Sequence, residues 1–247
     1  MFTRALPLAG NHRYAPGYDA DLSAYLAQLD RHGIARGVLV QPSFLGTDNS
    51  FLLAALRAEP LRLRGIAVVA GEADLAALDG TGIVGIRLNL IGQPDPELAP
   101  GFLAAIARRG WQIEIQVEAH RLPRVLPPLL GADIDLVIDH FGKPDPAQGV
   151  EDPGFRYLLT AAATRRVWVK LSGAYRAGGA DVAGAAVPLL REAFGLDRLV
   201  WGSDWPHTQF ERLTDYRAVR RQLDSWLPDA AERRQVLTVT PAHLFRF

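Results

Sequence analysis

The chain has 247 residues, of which 49% are hydrophobic, and its 27 Lys and Arg residues equal its 27 Asp and Glu residues, so its formal net charge is zero. The balanced charge gives no reason to expect a nucleic-acid or membrane partner, and the absence of cysteine excludes disulfides, thiolate catalysis and zinc–thiolate sites. No apolar run approaches the roughly 18 residues of a transmembrane helix, and no secretory signal follows Arg4. We therefore expect a cytoplasmic protein with a single α/β domain over residues 1–247.

The first elements of the chain are an irregular segment, a helix and a strand. Residues 1–19 contain two proline and two glycine residues and show no sustained period, which predicts a loop. The next segment, 21–31, has apolar residues at helical spacing before Gly33, which predicts an amphipathic helix. The apolar run 37–43 then predicts a strand, and a helix is predicted over 49–58.

A strand followed by a helix is the repeating unit of the remaining chain. Further strands are predicted at 65–69, 85–90, 112–117, 135–140, 167–172 and 199–203, with helices at 72–78, 100–109, 122–130, 153–164, 182–194, 215–227 and 230–238. Alternation of this kind predicts a parallel sheet, and eight such units would close a (β/α)8 TIM barrel of about 250 residues. Only seven strands are found, and a helix precedes the first. The sequence therefore predicts a distorted TIM barrel that lacks its first strand, which would lie upstream of Met1.

Polar residues alternate with apolar ones along several predicted strands. Glu114 and Gln116 stand between isoleucines, Arg87 stands between apolar neighbours, and Lys170 and Ser172 follow the same pattern. In a barrel the apolar set faces the helices, so we expect these polar side chains to point into the lumen. Charges are seldom buried without a partner or a ligand, which indicates a functional interior.

Seven polar residues are predicted to meet at the carboxyl ends of the strands, where barrel enzymes carry their active sites. Three of them are cations from different segments, which favours a small anionic substrate such as a carboxylate. The alternative is that each cation pairs with a local acid, for instance Asp139 or Asp145. The residues at this rim are Ser43, Arg87, Gln116, His140, Lys143, Arg176 and Asp204.

The stretch 199–207 (LVWGSDWPH) delivers one carboxylate, Asp204, to the end of the last strand. Trp201 and Trp205 flank it and would limit its access to water, so we expect a raised pKa and a general-base role. The alternative is that Asp204 only caps a turn. His140 ends its own strand and is predicted to act in the site. His207 would orient Asp204 or contact substrate, unless it is a solvated loop histidine.

A metal site is not predicted. His140 and Asp204 supply two possible ligands, and the chain contains no His-x-His pair, so we expect no bound metal and no other cofactor. One divalent metal such as zinc remains the alternative. The sequence also leaves open whether the chain forms a homo-oligomer.

Six motifs in order give the chain a family likeness over nearly its whole length. It resembles the amidohydrolase-related family, and within it the branch of the 2-pyrone-4,6-dicarboxylate lactonases. The motifs are 37–43 (GVLVQPS), 46–49 (GTDN), 85–89 (GIRLN), 139–145 (DHFGKPD), 167–173 (VWVKLSG) and 201–207 (WGSDWPH).

The resemblance implies a distorted TIM barrel and a hydrolase that acts on lactones or esters without a metal. Asp204 matches the strand-eight aspartate that serves as base toward the hydrolytic water, and His140 matches the strand-six histidine. The positions that bind substrate carboxylates in the lactonases correspond to Ser43, Arg87, Lys143 and Arg176.

Two departures from the family pattern leave alternatives open. The family begins with a strand carrying Asp-x-His-x-His, whereas this chain begins with Met1-Phe2, as a late start or a truncation would explain. In the pocket, Gln116 replaces a tyrosine and Gln93 replaces a second arginine, which weakens the case for that particular dicarboxylate. The alternatives are a metal-dependent decarboxylase of the same superfamily and a truncated, inactive barrel, whose unpaired edge strands would invite self-association.

Overall fold

Seven parallel strands form one sheet in which each strand pairs with its neighbours in the sequence. The structure is a computed structural model that describes residues 1–10 and 12–247. One irregularity interrupts the ladder between β2 and β3, at Gly65 and Ile66. The strands are β1 Gly37–Val40, β2 Leu63–Ala67, β3 Ile83–Asn89, β4 Gln112–Gln116, β5 Leu136–Ile138, β6 Val167–Leu171 and β7 Leu199–Trp201.

An α-helix follows each strand except β2, as the alternation of the sequence predicts for those six strands. No helix in the described part of the chain has both the length and the apolarity to cross a membrane. The α-helices of these residues are α1 Leu22–Arg31, α2 Ser50–Ala58, α3 Pro100–Arg108, α4 Leu122–Leu130, α5 Pro153–Ala161, α6 Ala180–Phe194, α7 Tyr216–Trp226, α8 Ala230–Arg234 and α9 Thr240–Leu244.

The helix predicted over 72–78 is wrong. Two 3-10 turns, Glu72–Asp74 and Ala76–Leu78, occupy this segment. The Asp74 carboxylate accepts a hydrogen bond from the backbone nitrogen of Ala70 at 2.7 Å, which favours a turn over a helix start. A seven-residue segment also gains too few helical hydrogen bonds to offset the cost of nucleation.

The predicted alternation of side chains along β4 is confirmed. Ile113 and Ile115 are fully buried in the apolar core shared with the helices. Glu114 and Gln116 instead line an internal cavity. Because parallel strands run in one direction, the polar residues at their carboxyl ends meet at one rim.

The sheet curls, and its two edge strands, β1 and β7, line the same cavity. Val38 and Val40 of β1 and Val200 and Trp201 of β7 all face this space, which has a volume of about 890 Å³. Within the described residues no backbone pairing joins β1 to β7. The fold is therefore a parallel, seven-stranded α/β sheet curled into an incomplete barrel.

The segment before α1 contains no helix or ladder strand in its described residues. One antiparallel bridge pairs Phe2 with Ala20, and the Phe2 ring packs against Phe44 at 5.0 Å between ring centres. Farther along, the hydroxyls of Tyr14 and Tyr18 both donate to Glu211 at 2.8 Å. These contacts hold the segment beside the carboxyl end of the sheet.

Candidate active site

Seven of the eight predicted site residues line one cavity, which extends from the carboxyl ends of the strands along β1 to Arg36 at its amino end. The strands thus bring together residues that lie up to 161 positions apart in the sequence, from 43 to 204. His207 is the residue that this cavity does not include. The seven are Ser43, Arg87, Gln116, His140, Lys143, Arg176 and Asp204.

Asp204 lies just past β7 and is held through one of its two oxygens. Its Oδ2 accepts from the Tyr175 hydroxyl at 2.6 Å and from Nε of Arg176 at 2.5 Å. Its Oδ1 accepts no hydrogen bond from the described residues. The carboxylate is therefore oriented on one side and available to the cavity on the other.

The expectation of a raised pKa for Asp204 is wrong. Burial opposes ionisation, but the nearby His140 ring, the Arg176 charge and the hydrogen bonds from Tyr175 and Arg176 outweigh it and lower the pKa of Asp204 to about 2. The rings of the two tryptophans that flank Asp204 in the sequence pack on tyrosines, Trp205 against Tyr25 and Trp201 against Tyr216. Asp204 is therefore ionised throughout the neutral range.

His140 follows β5 and lies beside Asp204. Its Nδ1 is 2.9 Å from the Ser172 hydroxyl, and burial lowers its pKa, so the ring is neutral at neutral pH. Gly173, with φ of 54°, separates the two groups, and a Cβ there would lie 2.9 Å from His140 Nδ1 and 3.1 Å from Asp204 Oδ2. Only glycine admits this approach.

The three predicted cations differ in what they contact. Arg176 pairs with Asp204 at 2.5 Å. Arg87 lies 4.0 Å from Asp139 and donates to the side chain of Gln116. Lys143 donates to the Arg176 carbonyl at 3.1 Å, and no ion pair joins it to an acid of the described residues. The alternative of local pairing thus holds for Arg176, partly for Arg87 and not for Lys143.

His207 lies behind Asp204 rather than in the cavity. It is 4% exposed, and its Nδ1 lies 3.0 Å from the Tyr175 hydroxyl. Its backbone nitrogen donates to the Asp204 carbonyl at 2.8 Å. This position does not favour direct substrate contact by His207, and it agrees with the expectation that the residue orients Asp204.

Sequence reasoning missed two residues beside the site, Tyr175 and Arg13. Tyr175 stands next to Arg176 in the sequence, and an aromatic residue there carries no signal by itself. Arg13 belongs to the irregular segment before α1, yet it lines the cavity and its charge acts on Lys143. No ion pair to Arg13 is found within residues 1–10 and 12–247. A lone arginine in an aperiodic segment gives no sequence signal.

A buried ion cluster lies on the inner wall of the barrel. Nζ of Lys170 on β6 is 2.7 Å from Glu114 on β4 and 2.7 Å from Asp139 after β5. Burial raises the pKa of Glu114, whereas the charges of Lys170 and Arg87, together with the adjacent His140, overcome burial and lower the pKa of Asp139. The pKa of Lys170 is raised because the two carboxylates overcome its burial.

The described residues do not fit a metal ion. They contain no group of three or more His, Cys, Asp and Glu side chains placed to hold one. Glu114 and Asp139 are bound by Lys170, and Oδ2 of Asp204 is bound by Arg176. A protein cation thus lies beside each of these carboxylates and opposes the binding of a further positive ion there.

Comparison with known proteins gives consistent matches. A sequence model of the amidohydrolase family matches residues 5–247. The chain is 33% identical over 257 residues to a 4-sulfomuconolactone hydrolase of Rhizobium radiobacter, covering 98% of this chain and 86% of that protein. It is 29% identical over 261 residues to a 2-pyrone-4,6-dicarboxylate hydrolase of Comamonas testosteroni, covering 97% and 85%.

A solved structure is also similar. It is that of a probable 2-pyrone-4,6-dicarboxylic acid hydrolase of Acinetobacter baumannii with citric acid bound, which superposes with a TM-score of 0.95 at 39% identity. The match covers 100% of this chain and 96% of that one. The family, the fold and the arrangement of elements are therefore shared over the whole described chain.

We predict that Lys170→Met destabilises the fold by about 3–5 kcal/mol near pH 8, because two buried carboxylates lose their counter-ion. Their pKa values then rise in the folded state, so the unfolding free energy of the variant should increase as the pH falls from 8 to 5. Urea unfolding at both pH values measures this.

Lys143→Met is the matched control for this change. Lys143 is half-buried and pairs with no described acid, so the control should cost less than about 1 kcal/mol and add no pH dependence. Equal loss of stability in the two variants would show that the Lys170 cluster is not the stabilising element.

Proposed function

The chain belongs to the amidohydrolase family, and from that premise we propose that it is a hydrolase that opens a lactone or ester ring of a small molecule carrying carboxylates. The relatives in question are named as hydrolases of 4-sulfomuconolactone and of 2-pyrone-4,6-dicarboxylate, both of which are cyclic esters. The observation that carries the proposal is one cavity containing an ionised carboxylate, a neutral histidine and two cations that form no ion pair with an acid in the part of the chain that the structure describes.

Asp204 is the proposed general base. Its Oδ1 accepts from no donor of residues 1–10 and 12–247, and Asp204 lines the cavity, so this oxygen is proposed to accept a proton from a water molecule that attacks the ester carbonyl. With a pKa of about 2, the carboxylate is always ready to accept this proton at neutral pH. The same low pKa makes it a weak base, so the carbonyl must also be activated by groups that bind its oxygen.

His140 is the proposed group that stabilises the developing oxyanion. Nδ1 lies 2.9 Å from the Ser172 hydroxyl and 3.3 Å from the Ser172 carbonyl. In the proposed tautomer the hydroxyl donates to Nδ1 and the ring proton resides on Nε2, which has no hydrogen-bond partner among the described residues. A neutral N–H donor placed at the point where negative charge develops lowers the barrier to attack.

The acid groups of the substrate are proposed to bind at the mouth of the cavity. Lys143 and Arg13 form no ion pair with a described acid, and Arg87 adds a partly compensated guanidinium. Ser43 and Gln116 offer neutral hydrogen-bonding groups in the same cavity. Arg176 contributes less to substrate binding than its position suggests, because Nε is committed to Asp204.

Arg13 is proposed to provide the cation that is missing at position 93. The Gln93 carbonyl accepts from Arg121 at 2.9 Å, and its side chain does not line the cavity. Arg13 reaches the neighbouring Gly92, where a Cβ would lie 3.7 Å from the arginine Cδ. The citric acid in the similar structure and the two carboxylates of the Comamonas relative's substrate both support a site for several acid groups.

We also propose that the reaction proceeds without a metal. What supports this is the donor set: the carboxylates of the site are each bound by Lys170 or Arg176, which would repel a divalent cation. The metal-dependent decarboxylase alternative would need a set of ligands that the described residues do not form.

The barrel is further proposed to have room for an eighth strand between β1 and β7. Both strands present an unpaired edge within the described residues, and both line the cavity. Exposed parallel edges are a liability that closed barrels avoid. A parallel strand in this position would complete the (β/α)8 ring. It would fill the part of the cavity between β1 and β7 and leave the part beside Asp204 open.

We predict that Asp204→Asn lowers kcat for 2-pyrone-4,6-dicarboxylate hydrolysis at least about 100-fold, since the amide cannot accept the proton of water. Loss of the pyrone absorbance measures the rate. Asp181→Asn, on the exposed first turn of α6, should keep full activity. Unchanged turnover in Asp204→Asn would reject this base, and a folded wild-type chain inactive on all lactones tried would favour the inactive barrel.

We predict that the purified protein contains much less than one metal ion per chain and that EDTA dialysis leaves its lactone hydrolysis unchanged. Elemental analysis and a rate measurement before and after dialysis test this. Stoichiometric zinc, with activity that EDTA removes and zinc restores, would instead support the metal-dependent alternative.

We predict that Arg13→Gln raises KM for the dicarboxylate about tenfold, which corresponds to about 1.4 kcal/mol, and leaves kcat nearly unchanged. Arg31→Gln, on the exposed end of α1, is the control. Adding Gln93→Arg to the Arg13→Gln variant should restore KM. If Arg13→Gln raises KM for a neutral lactone as strongly as it raises KM for the dicarboxylate, Arg13 does not bind an acid group.

A further inference from the structure

We propose that Tyr175 and His207 form a positioning relay that fixes Oδ2 of Asp204 and so reserves Oδ1 for the attacking water. This inference rests on the proposed function. The relay runs from His207 Nδ1 to the Tyr175 hydroxyl, 3.0 Å apart, and from that hydroxyl to Asp204 Oδ2 at 2.6 Å.

The chemistry of the three groups sets the direction of both hydrogen bonds. An ionised carboxylate only accepts, so the proton of the Tyr175 hydroxyl must point to Asp204. The tyrosine oxygen is then left as an acceptor, and the group that faces it, Nδ1 of His207, must carry a hydrogen. The relay therefore requires the Nδ1–H tautomer of His207.

The surroundings of His207 agree with a neutral ring in this tautomer. Burial lowers its pKa, and its Nε2 is buried without a hydrogen-bond partner among the described residues. Placing the proton on Nε2 would leave a buried donor unsatisfied and would turn the Tyr175 hydroxyl away from Asp204. The charged groups nearest the ring are Asp204, Arg176, Asp215 and Glu211.

The relay is proposed to act through Asp204. His207 does not line the cavity, whereas Tyr175 and Asp204 do. Oδ2 of Asp204 accepts hydrogen bonds from both Tyr175 and Arg176, which leaves no room on that oxygen for a third strong donor. The ring of Tyr175 is itself held by Phe210, at 4.8 Å between ring centres. The hydroxyl is thereby fixed in position before any substrate enters.

Three variants distinguish positioning from a merely structural role. Tyr175→Phe removes the donor to Oδ2. His207→Asn keeps an amide donor near the position of Nδ1, whereas His207→Gln places its amide nearer the position of Nε2. Both substitutions at 207 therefore remove the imidazole ring, but only His207→Asn retains a donor to the Tyr175 hydroxyl.

Kinetics on 2-pyrone-4,6-dicarboxylate give the first readout. Tyr175→Phe and His207→Gln should lower kcat about 10- to 100-fold, as loss of groups that orient catalytic residues does, with KM changed less than about twofold. His207→Asn should stay within about threefold of the wild-type kcat. Equal loss in the two His207 variants, or an unchanged kcat in Tyr175→Phe, would overturn the relay.

Nitrogen-15 NMR of the histidine rings gives a readout that needs no substrate. The His207 signals are assigned by their absence in His207→Asn, and at pH 7 they should show a neutral ring protonated at Nδ1. An Nε2–H tautomer or an imidazolium would reject the relay whatever the activity. The Nδ1–H tautomer in a chain that hydrolyses no lactone would retain the relay geometry and reject the proposed function.

Discussion

The arrangement of the site depends on one buried ammonium group, that of Lys170. It lies 2.7 Å from carboxylates of two other strands or their ends, Glu114 and Asp139, and so joins β4, β5 and β6 inside the barrel. Asp139 immediately precedes His140, and Arg87 lies 4.0 Å from the same carboxylate. Removing three charges from water is costly unless they satisfy one another, so the strands that carry them are held in a fixed mutual register.

Above this cluster the cations of the rim divide into two kinds. Arg176 is bound to Asp204 and serves to keep that carboxylate ionised and oriented. Lys143 and Arg13 have no acidic partner among the described residues and give the mouth an excess positive charge. The proposed hydrolysis of acidic lactones needs both kinds, because the base must remain charged while the acid groups of the substrate require cations of their own.

Much of this arrangement follows from local sequence patterns, and the exceptions have identifiable causes. The period of two along β4 correctly placed Glu114 and Gln116 on the inner face. The helix prediction for 72–78 is wrong because the apolar spacing of the segment suggests a helix, whereas the hydrogen bond to the Asp74 carboxylate favours a turn. The pKa of Asp204 was misjudged because the sequence shows the flanking tryptophans and does not show the hydroxyl and guanidinium that reach the carboxylate from another strand end.

The sequence by itself determined the family, the order of the parallel strands and the seven residues that meet at the rim, since these depend on short-range periodicity and on where each strand ends. Only the tertiary structure decided what each of those residues contacts. Tyr175 and Arg176 reach Asp204 across 29 and 28 positions of chain, and Arg13 enters the cavity from an aperiodic segment. Hydrogen bonds and ion pairs act over about 3–4 Å, so partners so distant in the chain are chosen by the packing of the barrel and leave no local pattern.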